Sequence, residues 1–197
     1  MSPFCFLACR RSVDVCFMID LSGSTVDEYM FAMTFVREAV FGLDYTFGRA
    51  RVSVITYGDT ASTRFYLNAY STREDVLNAL RFMPDKGQTN TQQAISFMRN
   101  DVFRSSVGDR SGVPNIGILV TDGKSNVNRE NTVPEATRAK NQDIALYVVA
   151  LGEEVDLREV NQVAGYRQEP VSDYVYEVKQ VSDAPGMAAD MLEHLCR

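Results

Sequence analysis

Strand patterns and helix patterns alternate along the whole chain. Mostly apolar or alternating runs, which are typical of strands, cover residues 13–19, 51–57, 63–67, 115–120, 144–151 and 174–178. Helix patterns, marked by apolar spacing or capping residues, cover residues 25–41, 71–83, 91–103, 134–142, 156–164 and 187–195. Apolar strands separated by helices indicate a mostly parallel sheet that is covered on both faces. We therefore predict an α/β, doubly wound fold with a mostly parallel central sheet, one antiparallel edge strand and helices on both faces.

Three short polar clusters lie at one edge of this predicted sheet. Asp20, Ser22 and Ser24 come directly after the first strand. Asp122 follows a central strand, and Thr89 stands just before a helix. In doubly wound sheets the binding site lies outside the carboxyl ends of the strands, so we expect these five side chains to converge.

Two carboxylates and three hydroxyls together form a set of hard oxygen donors. Such donors suit Mg²⁺ or Mn²⁺ and do not suit a soft metal. Because few carboxylates would touch the ion, it would keep net positive character and attract an acidic side chain of a partner. The competing interpretation is that each cluster only caps a helix or forms a turn. That interpretation explains any single cluster well, but it explains poorly why all three stand at the same edge.

Composition narrows the classes of function. The chain has 197 residues, 45% of them hydrophobic, which suits one domain with a sizeable core. The net charge of −6 argues against a nucleic-acid partner, because phosphate contacts need clustered Lys and Arg. No apolar run approaches the roughly 20 residues needed to span a bilayer, so we expect no membrane insertion. The single histidine, His194, stands far from the clusters and leaves them without a general base, so we predict that the chain is not an enzyme.

The four cysteines are Cys5, Cys9, Cys16 and Cys196. None forms a CxxC pair, and Cys16 lies inside an apolar strand, as expected of a buried free thiol. Cys9 and Cys196 stand just outside the two ends of the structured region. Either they form a bridge that ties the termini together in an oxidising compartment, or they are two unpaired thiols. Residues 1–8 are interpreted as an N-terminal extension or the remnant of a truncated signal.

Taken together, the motifs resemble those of the von Willebrand factor type A domain, also called the integrin I-type domain. Asp20-Leu21-Ser22-Gly23-Ser24 matches the family's DxSxS motif, Thr89 its threonine and Asp122 its last aspartate. The resemblance covers residues 9–197 as one domain, and it is strongest to extracellular matrix members such as matrilins and non-fibrillar collagens.

The resemblance implies a metal-ion-dependent adhesion site. By that similarity, Ser22, Ser24 and Thr89 coordinate the ion directly, Asp20 and Asp122 do so directly or through water, and a partner's carboxylate completes the shell. The ion expected is Mg²⁺, with Mn²⁺ or Ca²⁺ as alternatives. Cys9 and Cys196 match the terminal disulfide of extracellular members. Two departures stand near the site: Gln88 replaces a glycine of many members, and Asn126 replaces an acidic residue of some.

The function expected is a secreted adhesion module that recognises an extracellular matrix protein, such as collagen, through the cation and a partner carboxylate. The alternative is a structural matrix protein that self-associates, in which the ion is incidental.

Overall fold

The computed structural model describes residues 11–84, 87–167 and 169–196, and its centre is a six-stranded sheet. The strands are β1 (Val13–Asp20), β2 (Ala50–Tyr57), β3 (Ala61–Phe65), β4 (Asn115–Thr121), β5 (Ile144–Leu151) and β6 (Val175–Val178). Their order across the sheet is β3-β2-β1-β4-β5-β6. Only the edge pair β2–β3 is antiparallel, and all other neighbours are parallel. The predicted fold class is confirmed, including its antiparallel edge strand.

The described residues form six α-helices, of which five lie between strands and the last follows β6. They are α1 (Tyr29–Gly42), α2 (Arg73–Ala79), α3 (Thr91–Phe97), α4 (Thr132–Lys140), α5 (Leu157–Val163) and α6 (Ala184–Leu195). Helices α2 and α3 end earlier than expected. Helix α2 ends at Ala79 rather than near residue 83, because Leu80 leaves the helical conformation with ψ 67° and its side chain is buried. Helix α3 continues as a π-helix, Met98–Val102, in which the N–H of Phe103 donates to the carbonyl of Met98.

The start of α1 also differs from the sequence prediction. Residues 25–41 were expected to be helical, but a 3₁₀ turn, Gly23–Thr25, comes first and α1 begins at Tyr29. The Thr25 hydroxyl donates to the carbonyls of Asp20 and Ser22, both at 3.1 Å. This short turn separates the end of β1 from α1, and it gives the first polar cluster a loop of its own.

Strand β1 lies at the centre of the core. All eight of its residues are buried, because β2 and β4 flank it and both faces of the sheet are covered. This placement explains why residues 15–19 of the strand are continuously apolar rather than alternating. Cys16 is a buried free thiol, as predicted. Residues 1–8 and Cys9 lie outside the described residues, so the terminal extension and the Cys9–Cys196 bridge stay predictions.

Candidate metal centre

The ends of two neighbouring parallel strands place the first and last polar clusters side by side. Ile19 of β1 pairs in register with Val120 of β4, so Asp20 and Thr121 follow next to each other at the same edge. The loop that precedes α3 reaches this edge through a hydrogen bond from the Gly23 N–H to the Gly87 carbonyl, 3.0 Å long. Three loops therefore meet at the carboxyl ends of β1 and β4, where the sequence predicted a site.

The three predicted hydroxyl ligands form one contiguous group. The Thr89 hydroxyl donates to Ser22 Oγ at 2.9 Å, although 67 residues separate them. Ser22 Oγ lies 3.2 Å from Ser24 Oγ. Ser22 and Thr89 are buried, whereas Ser24 is exposed. The group therefore opens to solvent on the side of Ser24.

Asp20 fastens the loop that carries the two serines. Its Oδ1 accepts the N–H of Ser22 at 3.0 Å, and its Oδ2 accepts the hydroxyl of Thr121 at 2.9 Å. Burial raises the pKa of Asp20 to about 6, and the neighbouring Asp122 carboxylate acts in the same direction. The interpretation of Asp20 as a residue that holds the loop agrees with this geometry.

Asp122 presents one unused oxygen to the site. Its Oδ1 accepts the N–H of Lys124 at 3.0 Å. Its Oδ2 is buried and accepts no hydrogen bond within the part of the chain that the structure describes. An unpartnered buried carboxylate oxygen is costly unless something cationic or a donor satisfies it. A divalent ion or a water bound to one fits this position.

Within the described residues, no cationic side chain forms an ion pair with either carboxylate of the site. None of the ion pairs found in residues 11–84, 87–167 and 169–196 includes Asp20 or Asp122. Lys124, the nearest base along the chain, pairs instead with Glu154 at 3.5 Å. Among the described residues, no group of three or more His, Cys, Asp or Glu side chains is placed to hold a metal. A cation here would therefore depend on the hydroxyl oxygens as well as on the two carboxylates, which is a donor set that suits a hard ion.

Glu28 is an acidic neighbour that the sequence pattern did not single out. Its Oε2 is buried without a hydrogen-bond partner among the described residues. Burial raises its pKa, and the Asp122 carboxylate adds to this shift. A Cβ on Gly152, at φ +80°, would come within 2.8 Å of Glu28 Oε1. Glycine at position 152 thus leaves room for a further acid close to the site.

Asn126, noted above as a departure from acidic members, connects two of the three loops. Its Oδ1 accepts the N–H of Thr89 at 2.8 Å, and its own N–H donates to the Thr89 carbonyl at 3.1 Å. An acidic residue could accept from the Thr89 N–H as well, but it would add a third negative charge. The neutral amide therefore positions Thr89 without adding charge to the site.

The other departure, Gln88, is fastened by its backbone. The Gln88 N–H donates to Asp59 Oδ1 at 2.6 Å, which ties the threonine loop to the β2–β3 hairpin. A Cβ on Gly87 would lie 2.9 Å from Asp59 Cγ, so this position needs glycine for close approach.

A buried polar group beneath the site links the Asp122 loop to α5. Ser125 donates to Glu159, and its Oγ lies 2.7 Å from Thr91 Oγ1. Glu159 is 5% exposed and pairs with Arg129 Nε at 3.0 Å. Ser125 and Glu159 stand 34 residues apart, so no local spacing in the sequence could have indicated this contact.

The family can now be stated from comparison with known proteins. The model of the von Willebrand factor type A domain matches residues 14–190. The chain belongs to the von Willebrand factor type A domain family. The predicted family is confirmed over most of the chain.

Curated relatives include collagen chains and matrilins. The chain is 28% identical over 189 residues to the collagen alpha-1(XII) chain of Notophthalmus viridescens, a match that covers 95% of this chain and 20% of that protein. It is 29% identical over 191 residues to matrilin-3 of Mus musculus, covering 94% of this chain and 38% of that protein. The chain therefore spans well under half the length of either relative.

Solved structures show the same fold. Proximal thread matrix protein 1 from the mussel byssus, solved with a zinc-occupied MIDAS motif, has a TM-score of 0.83 at 24% identity, covering 94% of this chain and 48% of that one. The manganese-loaded Plasmodium vivax TRAP protein has a TM-score of 0.75 at 17% identity, covering 92% of this chain and 73% of that one. Both of these structures hold a divalent metal, zinc in the first and manganese in the second.

Two further predictions concern enzymatic activity and membrane insertion. It is a family of non-enzymatic adhesion and matrix domains, which confirms the prediction that this chain is not an enzyme. No helix in the described part of the chain is both long enough and apolar enough to cross a bilayer.

Proposed function

We propose that this domain binds an extracellular matrix protein through a divalent cation and a carboxylate of that partner. The observation that carries the proposal is that three contiguous hydroxyls and Asp122 lie at the carboxyl ends of the neighbouring strands β1 and β4. Among the described residues, the buried Oδ2 of Asp122 accepts no hydrogen bond. Collagen is the first partner to test, because collagen chains and matrilins stand among the relatives.

In this proposal Ser22, Ser24 and Thr89 coordinate the ion directly, and Asp20 and Asp122 hold it directly or through water. Mg²⁺ is the ion proposed first, with Mn²⁺ and Ca²⁺ as alternatives, because all five donors are hard oxygens. The bound ion supplies a positive charge that a carboxylate oxygen of the partner can coordinate.

The site is arranged for recognition rather than for chemistry on a substrate. Both carboxylates are buried, and Ser24 marks the side that faces solvent. The single histidine lies in α6 and contacts Tyr147, with Nδ1 3.1 Å from the tyrosine oxygen, so it supplies no base at the metal. A partner carboxylate approaching from the Ser24 side would add the negative charge that the ion still attracts.

The domain is proposed to work outside the cell, in the extracellular matrix. A disulfide between Cys9 and Cys196, at the C-terminal end of α6, would restrain that helix and stabilise the fold by up to about 5 kcal/mol in the chain-entropy model. Peptide mapping without reduction should identify a linked pair of peptides containing these two residues. Recovery of both cysteines as free thiols from secreted protein would contradict the bridge.

The deciding experiment measures binding to immobilised fibrillar collagen and a panel of other matrix proteins by surface plasmon resonance. With Mg²⁺ present, we expect at least one of them to bind the wild-type domain, and EDTA, Asp122→Ala and Ser22→Ala each to abolish that binding. Matched surface variants, Asp190→Asn and Ser106→Ala, should bind as the wild type does, because both side chains are exposed outside the site. Binding that persists in EDTA and in Asp122→Ala would contradict the proposal.

The second candidate is a structural piece that self-associates, with the ion incidental. The observation in its favour is the likeness in fold to a thread matrix protein of the mussel byssus. Sedimentation over a range of concentrations separates the two functions. Assembly that is unchanged by EDTA and by Asp122→Ala favours this candidate over the adhesive one.

A further inference from the structure

A polar cavity of about 380 Å³ adjoins the metal centre. Leu21, which stands between Asp20 and Ser22, lines it on one side. The β2–β3 hairpin and Met83 with Pro84 form the other walls. A partner whose carboxylate reached the metal would therefore place its neighbouring residues at the mouth of this cavity.

Arg64 in β3 lines the cavity with its guanidinium group already oriented. Its Nε donates to Thr56 Oγ1 at 2.6 Å, and its Cζ lies 5.7 Å from the centroid of the Phe82 ring. The first contact fixes one edge of the planar group, and the second places it against an aromatic face. The terminal nitrogens make no ion pair with any carboxylate in the described residues.

The other charged residue of the cavity is already engaged. Asp59 accepts the Gln88 N–H at its Oδ1, and its backbone carbonyl accepts from the Asn90 side chain at 3.0 Å. It therefore holds the threonine loop, and it makes no ion pair with Arg64. Among the described residues Arg64 thus has no acidic partner, and it lies beside a site that is proposed to take a carboxylate. This favours a second carboxylate as its ligand, because Arg presents paired donors that match one.

We propose that Arg64 binds a second carboxylate of the partner, so that the preferred ligand is an acidic segment with two carboxylates, one on the metal and one in this cavity. The inference rests on the proposed function, since the metal must first anchor the partner. It makes Arg64 a specificity residue that selects diacidic over monoacidic sequences.

The test uses NMR titrations of the Mg²⁺-saturated domain with capped glycine peptides. One peptide carries a single glutamate, and three others carry a second glutamate one, two or three positions further on. We expect at least one diacidic peptide to bind about fivefold tighter than the monoacidic one. Arg64→Ala should remove that preference and leave binding of the monoacidic peptide unchanged, whereas Arg81→Ala, which removes another exposed arginine, should keep it.

The possible failures are distinguishable. If every diacidic peptide binds no tighter than the monoacidic one, or if Arg64→Ala keeps the preference, the inference is wrong and the metal-dependent function stands. A fifth peptide carries lysine in place of the second glutamate. If it binds tighter than the monoacidic peptide, the inference is wrong and Asp59 is the selecting group. If none of the peptides shows Mg²⁺-dependent binding to the wild type, the proposed function itself fails.

Discussion

Each end of strand β1 carries a buried aspartate, and the two differ in the charge of the groups that contact them. Asp14, at the start of the strand, is 0% exposed and pairs with Arg110 at 2.6 Å. Asp20, at the end of the strand, is 2% exposed, has only neutral donors and lies near a second carboxylate, Asp122. Six residues along a strand separate them by about 20 Å, at roughly 3.3 Å per residue.

This difference separates a structural carboxylate, Asp14, from one that is proposed to take part in binding a cation, Asp20. Arg110 also donates to the carbonyls of Val13 and Arg49, so it joins the ends of two strands while neutralising Asp14. Among the described residues, no arginine or lysine side chain pairs with Asp20 or Asp122. This contrast with Asp14 supports the proposed cation site at the carboxyl end of β1.

The largest expected effect comes from removing the counter-ion of Asp14. Arg110→Met should lower the free energy of unfolding by about 3–5 kcal/mol, because it leaves a buried carboxylate uncompensated. Urea unfolding of the variant and the wild type measures this difference. Affinity for Mg²⁺ should be unchanged, since the change lies at the far end of the sheet. A loss of stability under about 1 kcal/mol is the range of an exposed ion pair. Such a result would contradict the claim that Asp14 depends on Arg110 as its counter-ion.

A gain in stability is expected from the substitution of Asp20, at the carboxyl end of β1. Asp20→Asn keeps the shape of the side chain and removes a buried charge that has no counter-ion. Without divalent ions at pH 7, we expect the free energy of unfolding to rise by about 1–2 kcal/mol, since the pKa of Asp20 is raised by burial. With saturating Mg²⁺ the wild type should have the higher free energy of unfolding of the two. If Asp20→Asn destabilises the metal-free domain as much as Asp14→Asn does, the comparison fails.

A smaller effect is expected at the contact that positions Thr89. Asn126→Ala removes the acceptor of the Thr89 N–H and should cost about 1 kcal/mol of stability. Mg²⁺ affinity should fall with it, because Thr89 would be less well held. Asn161→Ala, at an exposed position of α5, is the matched control and should change neither quantity. Thermal melts with and without Mg²⁺ measure both, and equal melts for the two variants would contradict a positioning role.

The smallest effect concerns a second arginine-paired acid, in the loop that precedes β2. Hydrogen bonds from Thr46, together with Arg49, lower the pKa of Asp44 to about 2. A lowered pKa means that ionised Asp44 stabilises the fold above about pH 4, and that this stabilisation is lost as the pH falls towards 2. The stability gap between the wild type and Asp44→Asn should therefore close over that window. A gap that does not vary between pH 2 and pH 6 would contradict this sign.

The fold was largely predictable because its signals are local. The apolar run of β1 and the hairpin between β2 and β3 follow from periodicity and turn residues. The early end of α2 at Ala79 was not predictable, because burial of Leu80 in the core decides it. The same holds for the π-helix, Met98–Val102, which is a variation in hydrogen bonding that apolar spacing does not encode.

The position of the candidate site residues at one sheet edge was predictable, but the contacts that support them were not. Asp20, Ser22 and Ser24 share one short motif, and a doubly wound sheet implied that Asp122 and Thr89 would lie at the same edge. The contact of Asn126 with Thr89 joins residues 37 positions apart, and that of Ser125 with Glu159 joins residues 34 positions apart. Only the packed fold brings such pairs together. It also places the guanidinium group of Arg64 against the ring of Phe82.

The most direct measurement of the central claim counts the metal ions that the domain takes up. Equilibrium dialysis against Mg²⁺, followed by elemental analysis, should give one ion per chain for the wild type and for the surface variant Asp190→Asn. Asp122→Asn and Ser22→Ala should retain none above the dialysis blank while unfolding as cooperatively as the wild type does. Failure of the wild type to take up Mg²⁺, or equal uptake by Asp122→Asn, would contradict the account.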